Sequence, residues 1–294
     1  MDEIVKNEYG FYEVAKKPGS ELLKAYYTEK YYQKEKTDTY SRAISEEEKT
    51  YKYNKVEQRF HYLQEKADAD FADSPAFLDV GCGEGFALQY FKQIGWSVTG
   101  LEYSAYACSF FHPDCCEDLI TGDIAENLSD LADRRKVYDL VWLDNVLEHV
   151  RDPLKLLQQV RQLGSFLVVE VPNDFSPLQM ALLEAGKIDR EFWISLPDHL
   201  SYFNKEGLLN IAEHSGWKPV GVLADFPIDW FLANHHSNYV VNKQVGKQAH
   251  YARVAIDNLL HEVSVLQTNR LYETLADLGM GRQIVAFLEN PEIP

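Results

Sequence analysis

From Ala76 onward the chain alternates short apolar runs with segments whose apolar residues recur every three or four positions. The runs AFLDV, SVTGLE, DLITGD, YDLVWLD and SFLVVEVP read as strands. Between them FALQYFKQIG, SAYACSFFH, AENLSDLADRR and PLKLLQQVRQLG read as helices. Gly95 ends the first of these, Pro113 stops the second, and Pro153 sits near the start of the fourth. Strands this apolar, each followed by a helix, predict an α/β fold with a doubly wound, mostly parallel sheet covered on both faces. NKEGLLNIAEHSG then reads as a helix, WKPVGVLAD as a strand and RQIVAFLE as a last strand. Between Phe226 and Gly281 the pattern is helical, notably in YARVAIDNLLHEVSVLQTNRLYETLADLG.

The first seventy or so residues have a different texture. SELLKAYYTEKYYQKEK is charged and tyrosine-rich, with Tyr27 and Tyr31 one helical turn apart beside Tyr26 and Tyr32. These rings either close over a bound ligand or dock the segment on the sheet. Ser45 followed by Glu48 fits a capping box, and the spacing predicts a long helix from about Glu46 to Ala69. The organisation expected is an N-terminal helical arm or lid (1–72), a sheet core (73–225), a helical insertion forming a substrate wall or a dimer contact (226–280), and the last strand with its tail (281–294).

Composition narrows the partners. Lysine and arginine total 29 against 46 acids, a formal charge of −17. That field disfavours nucleic acid and anionic lipid, and Arg134-Arg135-Lys136 is too short a basic cluster to reverse it. No apolar run is long enough to span a bilayer. Cys108, His112, Cys115 and Cys116 lack the paired spacing of structural zinc sites, and His235-His236 point apart on a helix, so no metal is expected. With no apolar leader read ahead of the four cysteines, a reduced, cytoplasmic compartment is expected.

The stretch FLDVGCGEG carries the first chemistry. Glycines at 81, 83 and 85 after a buried strand let backbone N–H groups approach a ligand. Their spacing is not the G-x-G-x-x-G of dinucleotide sites. Asp79 precedes the bend, where a carboxylate repels a diphosphate and attracts a cationic amino-acid group. Glu102, ending the next strand, suits two ribose hydroxyls, and Asp123 after the third strand suits an adenine amino group, with Ile124 or Leu101 against the ring.

Together LDVGCGEG, GLEYS, GDI and YDLVWLDNVLEHVRDP resemble the class I S-adenosylmethionine-dependent methyltransferases, over about Phe77 to Val171. The resemblance implies a Rossmann-like seven-stranded sheet with an antiparallel last strand, and S-adenosylmethionine as cofactor. It implies a cofactor set of Asp79, Gly81, Gly83, Gly85, Glu102, Tyr103, Asp123, Ile124, Asp144 and Asn145. The insertion before the last strand departs from the usual short turn. The tyrosine-rich start is similar to methyltransferases encoded among bacterial polysaccharide and sugar-modification genes.

Methyl transfer to a hydroxyl needs a proton acceptor, and histidine is the usual one near neutral pH. His149 follows the fourth core strand and His199 lies in DHLSYFN, both on the carboxyl side of the sheet. His199 is the favoured base or hydrogen-bond donor; capping the next helix is its structural alternative. Asn173, Asp174 and Tyr202 are candidate contacts for acceptor hydroxyls, and turn chemistry explains Asn173 and Asp174 equally well. The reading is O-methylation of a small or glycan-linked polar acceptor, a sugar hydroxyl foremost. A nicotinamide-dependent oxidoreductase and a catalytically silent cofactor-binding scaffold remain as alternatives.

Overall fold

The computed structural model describes residues 4–19, 44–69, 71 and 73–293. Tyr26, Tyr27, Tyr31 and Tyr32 lie outside them. The chain opens with a hairpin of β1 (Ile4–Lys6) and β2 (Tyr12–Val14). After it comes α1 (Glu46–Ala67), whose first turn carries three glutamates. The Ser45 side chain accepts the Glu48 N–H at 3.2 Å, so the helix starts where its serine cap says it should.

The core then runs β3 (Ala76–Val80), α2 (Phe86–Gln93), β4 (Ser97–Glu102), α3 (Tyr106–Phe111), β5 (Leu119–Thr121), α4 (Ile124–Asp133), β6 (Tyr138–Asp144), α5 (Pro153–Arg161) and β7 (Gly164–Pro172). It continues through α6 (Pro177–Glu184), β8 (Ser201–Tyr202), α7 (Lys205–His214), β9 (Lys218–Ala224), α8 (Gly246–Val263), α9 (Val265–Asp277) and β10 (Gln283–Glu289). Seven strands form one sheet in the order β5-β4-β3-β6-β7-β10-β9. β10 runs antiparallel to both neighbours, and the remaining pairs are parallel. This is the Rossmann-like α/β sheet expected, with its antiparallel last strand.

Strand alternation divides the core between the two faces. Leu78, Val80, Val141, Leu143, Leu167 and Val169 point to α4, α5 and α7. Phe77, Leu140, Trp142, Val168 and Phe287 point to α1, α2 and α9. On that second face Phe77 stacks on Phe91 at 4.0 Å, and Phe91 meets Phe60 of α1 at 5.1 Å and Trp96 at 4.9 Å. Each such pair adds about 1 kcal/mol beyond its burial. Together they clamp α1 onto the sheet. No helix among the described residues is long and apolar enough to cross a membrane.

Three local differences from the sequence reading have physical causes. The described start of the expected helical arm is a hairpin, which β8 extends into a small three-stranded sheet. Strands of two or three residues carry too little alternation to be read. α6 was not anticipated either; Ser176 and Gln179 build a complete capping box for it. The long helical stretch of the insertion is two helices, because extended Ser264 (φ −173°) ends α8 and caps α9 through the Gln267 N–H.

The hairpin docks where α7 carries Gly207. A Cβ there would lie 2.6 Å from Phe11 Cβ and 2.7 Å from Phe11 N, contacts that no rotamer change relieves. Gly207→Ala is expected to lower stability by about 1–3 kcal/mol, read as a fall in melting temperature. An unchanged melting temperature would show that the hairpin is not seated on α7.

Candidate active site

The bend after β3 is pinned to β4, since the Gly81 and Cys82 N–H groups both donate to the Leu101 carbonyl at 2.8 and 3.2 Å. Gly81, Gly83 and Gly85 all have positive φ, at 76°, 51° and 81°. Two of them serve different ends. A Cβ on Gly81 would collide with Val146 Cγ2 at 2.6 Å, so that glycine is needed for packing. A Cβ on Gly83 would meet nothing nearer than the Gly81 carbonyl at 4.0 Å. The backbone there is bare toward open space, which is what a ligand lying on the bend requires.

A cavity of about 460 Å³ opens above this bend. Asp79, Gly81, Gly83 and Gly85 line one end, and Asp144 and Asn145 from the end of β6 line its middle. The structure therefore gathers six of the ten candidate cofactor residues around one space. Glu102 and Tyr103 stand behind the bend. The Glu102 carboxylate accepts the Gly83 N–H at 2.9 Å and the Tyr103 N–H at 2.7 Å, one on each oxygen, leaving lone pairs on both. Asp123 caps α4 by accepting the Ala125 and Glu126 N–H groups, and it takes the Tyr103 hydroxyl at 3.3 Å. Ile124 is the first residue of that helix. These four lie outside the lining of the cavity, on its β4–β5 flank.

The electrostatics are unusual for a site so rich in acids. Asp79 is 3% exposed, and burial, then Asp144 and Glu102, push its carboxyl well above the usual range. Burial likewise raises Glu102, opposed by the two backbone N–H groups it accepts. Against this negative end α1 sets Lys52, Lys55 and Arg59. The Arg59 guanidinium lies 2.6 Å from Glu170 and 3.3 Å from Asp144. Arg59 and Glu170 are each 5% exposed, whereas Asp144 opens to the cavity. The two acids titrate as a pair. Burial raises Glu170 despite Arg59, while at Asp144 burial is outweighed by the Arg59 charge together with hydrogen bonds to Glu170 and Asn145, which hold the carboxyl below the usual range. Asn145, in a left-handed conformation (φ 53°), continues the network by donating to Asp144 at 2.6 Å and accepting from Gln283 at 3.2 Å. The sequence reading missed Arg59, Lys55 and Glu170. The only signal for them was charge at positions of a helix and a strand that otherwise face the core.

The two candidate bases meet each other. The His149 and His199 rings lie 4.8 Å apart, edge to face, with Glu148 Oε1 3.9 Å from His149 Nε2. His149 Nδ1 is 2.8 Å from the Asp198 carbonyl, so Nδ1 carries the proton and donates it there. Glu148 is buried, and its carbonyl accepts the Leu200 and Ser201 N–H groups, which ties the His199 loop to the end of β6. Neither histidine lines the cavity. Glu148, His149 and His199 bring one donor atom each within 4.8 Å of one another. Cys108, His112, Cys115 and Cys116, weighed for zinc, form no such group among the described residues.

The proposed acceptor contacts after β7 are engaged elsewhere. Asn173 is 1% exposed and donates to the Gly279 and Gly281 carbonyls. Asp174 pairs with Arg282 at 2.8 Å, and burial pushes it up to about 6. Tyr202 is buried in the small sheet and donates to the His199 carbonyl at 3.1 Å. All three hold loops in place; the cavity beyond the bend is lined instead by Asp144, Asn145, Glu170, Asp225, Gln283 and Arg253.

Removing Arg59 leaves Glu170 and Asp144 without their common cation. Arg59→Leu is expected to cost about 3 kcal/mol near neutral pH. The loss should shrink as pH falls and the acids take up protons, measured as melting temperature against pH. A deficit independent of pH would show that the guanidinium acts only by packing.

A family profile described as a methyltransferase domain matches residues 48–222. Among curated proteins, a ubiquinone biosynthesis O-methyltransferase of Haemophilus ducreyi is 31% identical over 111 residues, 36% of this chain and 46% of that protein. One of Vibrio cholerae is 25% identical over 173 residues, 56% of this chain and 69% of that protein. The chain thus spans about half the length of the first relative and two thirds of the second. A solved S-adenosylmethionine-dependent methyltransferase from Archaeoglobus fulgidus covers 80% of this chain and 94% of its own at 20% identity, with a TM-score of 0.48. The bend, the acid behind it, the sheet order and the matched profile agree. The chain belongs to the class I S-adenosylmethionine-dependent methyltransferases, and S-adenosylmethionine is its cofactor.

Proposed function

We propose that this enzyme transfers a methyl group to a hydroxyl of a small polar or glycan-linked acceptor, a sugar hydroxyl foremost. The observation that carries the reading is the continuity of the cavity. It runs from the bend past Asp144 and Asn145 to Asp225, Gln283 and Arg253, and this second half is polar. The name O-methyltransferase borne by both relatives supports oxygen as the accepting atom. Four free thiols fit a reducing, cytoplasmic setting.

In this reading Asp79 and the bend hold the cationic amino-acid end of the cofactor, Lys52 and Arg59 face its carboxylate, and Glu102 takes the ribose. Asp123 and Ile124 flank the adenine. When bound, S-adenosylmethionine supplies a methyl group already activated on a sulfonium. What remains for the chain is to orient the acceptor in line with it and to take the hydroxyl proton. His199, steered by its contact with His149, is assigned the proton. A second reading gives that role to Glu170, because it lines the cavity and its carboxyl is raised.

Two measurements test this. A cationic ammonium beside Asp79 favours the ionised carboxyl, so its raised value falls on binding and a proton is released. Calorimetry of S-adenosylhomocysteine binding in buffers of different ionisation enthalpy should show that release, with affinity rising as pH rises. Asp79→Asn should abolish the release and weaken binding about tenfold. Proton uptake, or no linkage at all, contradicts the assignment. Next, His199→Ala should lower S-adenosylhomocysteine formation about 100-fold on a panel of hydroxylated acceptors while leaving cofactor affinity unchanged. Retained turnover in that variant, with loss in Glu170→Gln, gives the proton to the carboxyl.

A further inference from the structure

The cavity is longer than the cofactor's amino-acid end needs. The bend belongs to β3, whereas Asp225 follows β9, four strands across the sheet and roughly 19 Å away at ordinary strand spacing. At that far end stands Arg253, carried by α8 of the helical insertion. Its Nη2 donates to His250 Nδ1 at 2.9 Å, and His250 Nε2 lies 3.1 Å from Glu48 Oε1. The glutamate fixes the imidazole tautomer, and the imidazole fixes the guanidinium. The Tyr51 ring supports its face at 5.5 Å.

What this guanidinium lacks is an anion of its own. Its Nε is buried with no hydrogen-bond partner. Among the described residues no carboxylate oxygen comes within 4.0 Å of it. Asp225, Asp257 and Glu170 act on it only through space, and each has other partners on at least one oxygen. Asp225 Oδ1 accepts the Arg282 and Gln283 N–H groups at 2.7 and 2.8 Å. Asp257 Oδ1 takes the Tyr272 hydroxyl at 2.6 Å and faces Lys55 at 3.3 Å. Glu170 holds Arg59. A largely desolvated, pre-oriented arginine that lines the cavity without a carboxylate partner offers the cavity side of its guanidinium to an oxyanion.

We propose that Arg253 receives an oxyanion of the methyl acceptor, a carboxylate or a phosphate ester, so that the acceptor is an acidic small molecule. The inference rests on the methyl-transfer reading of the cavity. The cofactor's own carboxylate is not the anion concerned, because Arg253 stands at the Asp225 end of the cavity, across the sheet from the bend that holds the amino-acid end. The insertion thereby sets acceptor class, while the sheet sets cofactor.

The test is calorimetric, on the full chain, free and saturated with S-adenosylhomocysteine, with inorganic phosphate and acetate as separate probes. At least one probe is expected to bind, and Arg253→Gln to weaken it about tenfold or more. The glutamine retains a donor for His250, and S-adenosylhomocysteine affinity is expected to stay within about twofold of the wild type. Which probe binds more tightly tells a carboxylate from a phosphate ester. Absence of binding by both probes overturns the proposal. So does equal anion binding by Arg253→Gln, or a loss of cofactor affinity in its place. Failure of the underlying reading looks different: the wild-type chain then does not take up S-adenosylhomocysteine, while the anion titration of the free chain still decides for or against Arg253.

Discussion

The guanidinium of Arg59 is the constraint on which the site depends. It bridges acids from the carboxyl ends of two adjacent strands, Asp144 of β6 and Glu170 of β7. Without a shared cation, two carboxyls this close cannot both ionise in a half-buried cavity. With it, α1 is held across the strand ends, and Lys55 and Lys52, one and two turns back, face the same space. The aromatic clamp of Phe60, Phe91 and Trp96 anchors the other side of the helix. Packing fixes where α1 lies, and the ion pair fixes which way its polar face looks.

The distribution of charge explains how so acidic a chain builds a pocket for a ligand with two cationic groups. Asp79, Asp144, Glu170 and Asp225 line the cavity along its length and Glu102 backs its bend, yet burial leaves several of them reluctant to ionise. Their negative charge develops when a cation arrives. A pocket so arranged favours a cationic sulfonium and ammonium over a neutral or anionic cofactor.

Much of this was legible in the residues. The sheet declared itself because its strands are buried on both faces and read as unbroken apolar runs. The bend was legible because glycines two apart after an acid permit few ligands. What stayed hidden was hidden for physical reasons. β1, β2 and β8 are two or three residues long. Ser264 interrupts a helical stretch without disturbing its apolar spacing. Lys55, Arg59 and Arg253 look, in sequence, like the solvated face of any helix, and only the packing of α1 and α8 against the strand ends turns them inward. Asn173 and Asp174, open in sequence to either a ligand or a turn role, are placed in a turn. Polar residues after a strand suggest ligand contacts, but here they tie the loop to the Gly279–Arg282 segment.

β10, the last strand of the sheet, does not lie at its rim. It is inserted between β7 and β9, antiparallel to both. Until residues 283–289 exist, one edge of β7 presents a row of unpaired backbone N–H and C=O groups and β9 has no partner within the sheet. A nascent chain therefore carries an unpaired seam from the emergence of β7 until that of β10, and the part of the molecule that holds Asp225 and Gln283 closes only then.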